Sequence, residues 1–311
     1  MRIILICTLI AASFAWGALS HKYLAFPYSL LGPAHSIIMS SLEAWRATKD
    51  AGHGQAAPEI PRAEAPCRQN GRVAVLLVSG QSNAANAGEE RYTPVSDKIL
   101  NFNAQDGRCY KAADPLLGST GPGGSVWSRL GDKLVARGLY DAVIIAPAAM
   151  GGGAIENYIP GGIGHPAIIN SLKSLLKSGL PPTHFLWHQG ESDSRPPQNS
   201  CAGNAPLQST ETFTRSTPKE RYVQLFGELL VTLRSGGMTA PAYVATATIC
   251  DNFGDDGIRE AQQEIPRRYE GVRPGPDTDT IFGPKWRYDG CHFTGPGLDR
   301  HAQMWADLLN Q

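Results

Sequence analysis

The amino-acid sequence predicts a doubly wound α/β domain, with a central parallel sheet and helices on both faces. Short continuous runs of apolar β-formers recur along the chain, and amphipathic runs lie between them. Continuous apolar runs are typical of strands buried on both faces, and their alternation with helices favours parallel pairing. Polar, glycine-containing segments follow several of the runs directly, where α/β sheets bind ligands.

The individual elements follow from these patterns. Strands are predicted at residues 73–78, 99–102, 142–146, 184–187 and 242–248. Helices are predicted at residues 126–137, 167–177, 220–234 and 297–309. Gly138 suits a C-cap for the first helix, and Ser178-Gly179 ends the second.

Composition limits the domain count and the class of partner. With 311 residues, 42% of them hydrophobic, the chain can form one sizeable core or at most two small domains. Lys+Arg and Asp+Glu are both 28, so the formal net charge is zero. This balance provides no basic field to attract nucleic acid, and we expect no nucleic-acid partner.

The N-terminal 66 residues are predicted to lie outside the folded domain. Residues 1–20 contain an uncharged apolar run, residues 3–19, which suits either a cleaved signal peptide or an uncleaved membrane anchor. Residues 21–66 are predicted as a juxtamembrane segment and a tether rich in Ala, Gly and Pro. The folded domain is then residues 67–311, exported to the periplasmic or extracellular face and tethered to the membrane if residues 3–19 remain.

Cysteine usage agrees with export. One cysteine lies in the apolar run and five lie beyond it, without the spacing of a zinc site. In an oxidising compartment two disulfides and one free thiol are the natural count, although fully reduced, buried cysteines remain an alternative. The sequence neighbourhoods favour the pairs Cys67–Cys109 and Cys201–Cys250, with Cys291 free.

A serine follows the first predicted strand in the segment Ser79-Gly80-Gln81-Ser82-Asn83. Gly80 permits a sharp turn, after which the Ser82 hydroxyl can point into the crevice while its amide stays available to an oxyanion. The alternative interpretation is a helix N-cap serine in an ordinary loop.

An aspartate and a histidine three residues apart, Asp289 and His292, precede the last predicted helix. A tight turn can bring this carboxylate to Nδ1 of the imidazole, which leaves Nε2 to take a proton from Ser82. The alternative is an acidic turn followed by a histidine at a helix start.

The segment at residues 187–193 places amide and carboxylate side chains in one loop after a strand. Gln189 offers a neutral NH2 donor for a developing alkoxide, and Glu191 can orient a neighbour. The alternatives are a polar surface loop or a metal site formed by His188, Glu191 and Asp193.

Three successive glycines occur at residues 151–153, again after a predicted strand. Glycines let the backbone approach a ligand closely and expose N–H donors. A nucleotide phosphate loop would require a Lys-[Ser/Thr] ending, which this segment lacks.

In this order the motifs GQSN, AMGGGAIENY, WHQGESD and DGCHFT resemble the sialate O-acetylesterase-like branch of the SGNH hydrolases, which includes carbohydrate esterase family six. The resemblance covers residues 72–310. It implies a flavodoxin-like three-layer α/β/α sandwich with no cofactor. No metal is expected, because the spacing of metal-binding residues is not credible apart from the set His188, Glu191 and Asp193. The resemblance also implies a catalytic triad of Ser82, Asp289 and His292, with oxyanion donors from Ser82, Gly152 and Gln189, although the glycine register is uncertain by one. Gln81, Asn83 and Glu191 are expected to support the site.

Two positions depart from the family pattern. His188 stands where Tyr or Trp is common, and Cys291 stands where an apolar residue is common. Both departures leave the choice of sugar open among sialic acid, xylan and envelope polysaccharide. The expected function is hydrolysis of O-acetyl esters on carbohydrate; the alternatives are an O-acetyltransferase for an envelope glycan and a carbohydrate-binding protein with an inactive site.

Overall fold

The structure, a computed structural model, describes residues 62–194 and 216–309, which lie in one compact unit, Ala57–Gln311. The described residues form a single eight-stranded sheet in the order β1-β4-β3-β5-β2-β6-β7-β8. The strands are β1 Glu64–Ala65, β2 Val73–Gly80, β3 Ile99–Asn103, β4 Arg108–Lys111, β5 Ala142–Ala149, β6 His184–His188, β7 Ala242–Thr246 and β8 Val272–Asp277.

The sheet is parallel from β3 to β8, as the sequence predicted for a doubly wound fold. At the other edge β4 and β1 run antiparallel to their neighbours, so the central parallel sheet carries a short antiparallel margin. Helices are α1 Val126–Ala136, α2 His165–Lys177, α3 Lys219–Ser235, α4 Asp256–Arg268 and α5 Gly295–Leu308.

Two apolar clusters, one on each face of the sheet, define the three layers. Along β2, Val75 and Leu77 belong to the cluster formed with α2, α3 and α4, while Leu76 and Val78 belong to the cluster formed with α1 and α5. Successive side chains of a strand point to opposite faces, so a continuous apolar run fills both layers. This packing is the reason that the run at residues 73–78 reads as a buried strand.

Three central strands end at the same level. In the parallel register Gly80 at the end of β2 pairs with Ala149 at the end of β5 and with His188 at the end of β6. The chain crosses from one side of β2 to the other between β5 and β6, which makes this edge the topological switch point of the sheet. The three segments that follow these strands therefore begin side by side.

Helix α4 and strand β8, like β1 and β4 of the antiparallel margin, were not predicted from the sequence pattern. Helix α4 buries Ile258, Ala261 and Ile265, but charged residues dominate the rest of its surface. Strand β8 contains Pro274 and Pro276, and it lies at the sheet edge, where missing N–H donors are tolerated.

The N-terminal boundary of the domain needs one correction. Strand β1, Glu64–Ala65, pairs with β4 ahead of the predicted start at Cys67, so residues 64 and 65 are part of the sheet and not of a tether. The predicted disulfide Cys67–Cys109 is confirmed, and it links the residues after β1 to β4. Residues 1–61, including the predicted signal or anchor, and Cys201 lie outside the described residues. Across residues 62–194 and 216–309, none of the helices has the length and apolar character needed to cross a membrane.

Replacing Gly80 by alanine tests the close approach of β2 and β6. Gly80 has φ of +136°, and a Cβ there would lie 1.9 Å from the carbonyl oxygen of His188. We expect Gly80→Ala to lower the free energy of unfolding by about 3 kcal/mol or more, because backbone must move as well as adopt a strained φ. Denaturant unfolding measures the change.

Gly138→Ala is the matched control. Gly138 also has a positive φ, +67°, but a Cβ there would meet nothing within 4 Å. Its substitution is expected to cost only about 1–2 kcal/mol. Equal losses for the two variants would contradict the steric argument.

Candidate active site

Ser82 lies directly beyond the end of β2, at the switch point of the sheet. It begins a short 3-10 helix, Ser82–Ala84, and its side chain is largely buried. The first amide of such a helix has no partner within the helix, so the Ser82 N–H remains available. The positive φ of Gly80 turns the chain toward the crevice.

Asp289 and His292 occupy a tight turn between two paired segments. Arg287 and Phe293 form a β-bridge, and the Tyr288 amide donates to the His292 carbonyl at 3.0 Å. Within the turn, Asp289 Oδ2 lies 2.6 Å from His292 Nδ1, and His292 Nε2 lies 2.9 Å from Ser82 Oγ. The structure therefore brings together the three residues that the sequence singled out, across 210 positions of the chain.

The charge of Asp289 fixes the direction of these hydrogen bonds. Partial burial alone would raise the pKa of Asp289, but the hydrogen bonds from the His292 side chain and from the His292 and Cys291 amides outweigh it, so the pKa lies below its usual value. An ionised carboxylate only accepts, hence His292 Nδ1 carries the proton and Nε2 accepts from the Ser82 hydroxyl. This arrangement can remove the proton of Ser82.

Cys291 is not a free thiol. It forms a disulfide with Cys250, so the predictions of a free Cys291 and of a Cys201–Cys250 pair are wrong. Cys250 closes a tight bend in which Asp251 and Asn252 have positive φ, and the Asn252 amide donates to the Gly290 carbonyl at 3.0 Å. The Cys250–Cys291 disulfide joins the loop after β7 to the turn of Asp289 and His292. The spacing of the cysteines along the chain does not predict this pairing.

The glycine loop follows β5, beside Ser82. The Gly151 amide donates to Thr120 Oγ1 at 2.7 Å, and the Gly153 amide donates to the Met150 carbonyl at 3.2 Å. Gly152 has a positive φ of 71°, and its amide has no acceptor in the described part of the chain. Gly152 is therefore the glycine of the three whose N–H can turn to a ligand.

Gln189 lies in the loop after β6, as predicted, but its NH2 group is occupied by protein acceptors. Its side chain is fully buried, and its Nε2 contacts three protein acceptors, Gln81 Oε1 at 3.2 Å, Gly153 O at 3.1 Å and Asp193 Oδ2 at 2.5 Å. An amide nitrogen has two hydrogens, so these acceptors already use its capacity. The structure does not support an oxyanion donor at Gln189, which instead ties the glycine loop to the loop after β6.

The other supporting residues also hold loops together. Gln81 Oε1 accepts from the Ser192 amide at 2.8 Å. Asn83 Nδ2 donates to Glu191 Oε1 at 2.7 Å and to the Cys291 carbonyl at 3.2 Å. These contacts join the segment after β2 to the segment after β6 and to the turn that carries His292.

The geometry does not support a metal site formed by His188, Glu191 and Asp193. His188 Nδ1 lies 3.9 Å from Glu191 Oε1, but the Asp193 carboxylate faces the Ile155 amide, Gln189 and Thr217. Burial and the nearby Arg287 charge lower the pKa of His188 to about 3, so the ring is neutral. No group of metal-binding side chains occurs in residues 62–194 and 216–309.

Arg287 was missed in the sequence, where an isolated arginine gives no signal. Its side chain is fully buried, and its guanidinium donates to the carbonyls of Ile281 at 2.8 Å, Thr278 at 3.0 Å and Cys291. It thus connects the turn of Asp289 and His292 to the backbone at Thr278 and Ile281.

Comparison with known proteins identifies the class of the protein. The family model described as carbohydrate esterase, sialic acid-specific acetylesterase, matches residues 72–225. The protein is an esterase that acts on carbohydrate. The resemblance to the sialate O-acetylesterase-like SGNH hydrolases, predicted from the motifs, is thereby confirmed over these residues. No curated protein matches the chain.

Solved structures resemble this chain at low sequence identity. An Arabidopsis thaliana protein is 18% identical with a TM-score of 0.56, over 77% of this chain and 98% of that chain. A carbohydrate acetylesterase from Xanthomonas citri is 16% identical, with a TM-score of 0.49 over 75% of this chain and 54% of that chain. NanS is 14% identical, with a TM-score of 0.49 over 77% of this chain and 97% of that chain.

Loss of the disulfide beside the candidate triad should lower the esterase rate. We expect Cys250→Ser to reduce kcat about tenfold or more, because displacements of about 1 Å in a reacting group cost up to 10²-fold. The rate is measured on a small acetate ester at a temperature where the variant remains folded.

Cys67→Ser is the matched control. It removes the Cys67–Cys109 disulfide at the far edge of the sheet. Both substitutions are expected to cost about 2–5 kcal/mol of stability, but kcat should fall only for Cys250→Ser. Equal kcat values in the two variants would show that the Cys250–Cys291 disulfide serves stability alone.

The buried carboxyl of Glu191 predicts a pH dependence of stability. Burial raises the pKa of Glu191 to about 7, against the hydrogen bond from Asn83 and the charge of Arg287. The unfolded chain releases this proton near pH 4.5, whereas the folded chain keeps it to about pH 7. The contribution of the Glu191 carboxyl to the free energy of unfolding is therefore fully present below pH 4.5. This contribution is lost as the pH rises through about 7.

Urea unfolding of the wild type and Glu191→Gln from pH 4 to pH 8 measures this contribution. His188, Asp279 and Arg287 face the carboxyl in both proteins, so their effects are common. We expect the wild type to lose stability relative to Glu191→Gln between pH 4.5 and pH 7. Parallel curves would contradict a raised pKa for Glu191.

Proposed function

We propose that the protein hydrolyses O-acetyl esters of carbohydrates through a catalytic triad of Ser82, His292 and Asp289. The observation that carries this proposal is the unbroken chain of contacts at the strand ends, 2.9 Å from Ser82 Oγ to His292 Nε2 and 2.6 Å from His292 Nδ1 to Asp289 Oδ2. The family description, which names a sialic acid-specific acetylesterase, supports an acetyl ester as the bond that is cleaved.

In this mechanism Ser82 Oγ attacks the ester carbonyl carbon while His292 Nε2 takes its proton. The tetrahedral intermediate collapses, the bond to the sugar oxygen breaks, and His292 returns the proton to the departing hydroxyl. Water then attacks the acetyl-enzyme with His292 again as the base, and acetate leaves. Asp289, held ionised by its hydrogen bonds, stabilises the imidazolium in both steps.

The oxyanion of the intermediate requires donors beside Ser82. The amides of Ser82 and Gly152 are the candidates, because neither is used within the loops that contain them. Gln189 acts in this proposal as a fixed support that joins Gly153 to Gln81 and Asp193. The oxyanion site is thus made of backbone amides.

Acetate release from a panel of acetylated glycans tests the proposed substrate class. The panel contains acetylated sialic acid, xylan and envelope polysaccharide, each with and without a free sugar acceptor. Free acetate as the product supports a hydrolase. Acetyl transfer to the acceptor at the expense of acetate would instead support an O-acetyltransferase, and no reaction with any acetyl ester would overturn the proposal.

Replacing Ser82 by alanine should lower kcat/KM by about 10³-fold or more, because triad members act as a unit. Hydrolysis of a small acetate ester measures the loss. Ser79→Ala is the matched control, since the Ser79 hydroxyl donates to the Ala148 carbonyl at 2.6 Å inside the same segment. A Ser82→Ala enzyme that keeps more than a tenth of the wild-type rate would refute the assignment of the nucleophile.

A further inference from the structure

A buried carboxylate lies next to the candidate triad without any contact to it. The Glu191 side chain is enclosed, its Oε1 accepts from Asn83, and its Oε2 has no hydrogen-bond partner among residues 62–194 and 216–309. A buried carboxyl with an unpaired oxygen is costly for stability, and burial raises its pKa to about 7. Stability alone therefore gives no reason for an acid at this position.

Asn83, the single side chain that donates to Glu191 in the described part of the protein, connects three loops. It follows Ser82 in the chain, and its other N–H donates to the carbonyl oxygen of Cys291. Cys291 lies between Asp289 and His292. One amide group therefore links the nucleophile segment, the loop after β6 and the turn that carries the histidine.

The carboxylate determines which way this amide faces. Above about pH 7 the carboxyl is ionised and only accepts hydrogen bonds, so Asn83 must present Nδ2 to Glu191. The second N–H of the same nitrogen then meets the Cys291 carbonyl. If the amide turned over, Asn83 Oδ1 would face the Cys291 oxygen, and two acceptors would repel each other. A glutamine at position 191 can present either an oxygen or a nitrogen and so removes this constraint.

The Cys291 carbonyl has a second donor, Arg287, whose guanidinium is fixed by the carbonyls of Ile281 and Thr278. The Cys250–Cys291 disulfide and the Asn252 amide also attach the turn, on the side of the loop after β7. Loss of the Asn83 contact would therefore weaken the attachment of the turn on the side of Ser82. A shift of this turn moves His292 relative to Ser82 and leaves the glycine loop in place.

Accepting the proposed triad, we infer that Glu191 is a positioning residue: it orients the Asn83 amide, and Asn83 holds the turn of Asp289 and His292 in register with Ser82. Glu191 acts on the reaction only through Asn83. It touches neither the substrate nor the reacting atoms.

A double-mutant cycle with Glu191→Gln and Asn83→Ala tests this inference. At pH 8, where Glu191 is ionised, we expect Glu191→Gln alone to lower kcat for a small acetate ester about tenfold or more with KM unchanged, because a reacting group is displaced. In the Asn83→Ala background the same substitution should change kcat by less than about twofold, since residues that act through one contact are not additive. An equal loss in both backgrounds, or a change in KM alone, would overturn the inference.

Asp114→Asn serves as the matched control. Asp114 is another buried carboxyl with a raised pKa, and it accepts from the Ser125 amide, the Tyr92 amide and Ser128 Oγ. We expect this variant to keep the wild-type kcat. A loss of kcat equal to that of Glu191→Gln would point to a general effect of removing buried charge and would contradict the inference.

Proton NMR of His292 gives a readout independent of turnover. The Nδ1 proton between His292 and Asp289 should resonate at low field in the wild type and in Asp114→Asn, and should shift or broaden in Glu191→Gln. An unchanged signal would overturn the inference, as would a Glu191→Gln protein that fails to fold, because the carboxylate would then serve the fold. Failure of the proposed function is distinct: Ser82→Ala would then hydrolyse acetate esters as fast as the wild type.

Discussion

The common end point of β2, β5 and β6 is the constraint on which the site depends. Because Gly80 pairs with both Ala149 and His188 in parallel register, the three strands end at the same level. A side chain at position 80 would collide with the β6 backbone. The segment that begins with Ser82, the glycine loop and the loop after β6 therefore start side by side on adjacent strands. Distant parts of the sequence meet because the sheet register puts them there.

Around this edge the protein places groups that reduce stability. Neutral His188, the carboxyl of Glu191 and the guanidinium of Arg287 are all buried, and burial moves each pKa toward the uncharged form. Orphaned atoms in this region include His188 Nδ1, Glu191 Oε2 and His301 Nδ1. Such a cluster is expected where geometry is maintained at the expense of folding free energy, and apolar packing on both faces of the sheet offsets it.

The sequence predicted what depends on local pattern. The β2 run and the glycine after it placed Ser82 at a strand end, and the short spacing of Asp289 and His292 allowed a direct contact. Helix α4 was not predicted because its many charged residues obscure the apolar periodicity. Strand β8 was not predicted because its prolines are typical of loops. The partner of Cys291 and the direction of the Gln189 side chain are set by tertiary packing, for which the sequence has no local signal.

The Cys250–Cys291 disulfide joins the turn that carries Asp289 and His292 to the loop after β7, so this turn differs between oxidised and reduced molecules. A newly made chain in a reducing cytoplasm contains every residue of the site but lacks the covalent link that holds the turn. In a chain that is exported, this disulfide would form after export, and the turn would gain its covalent link last.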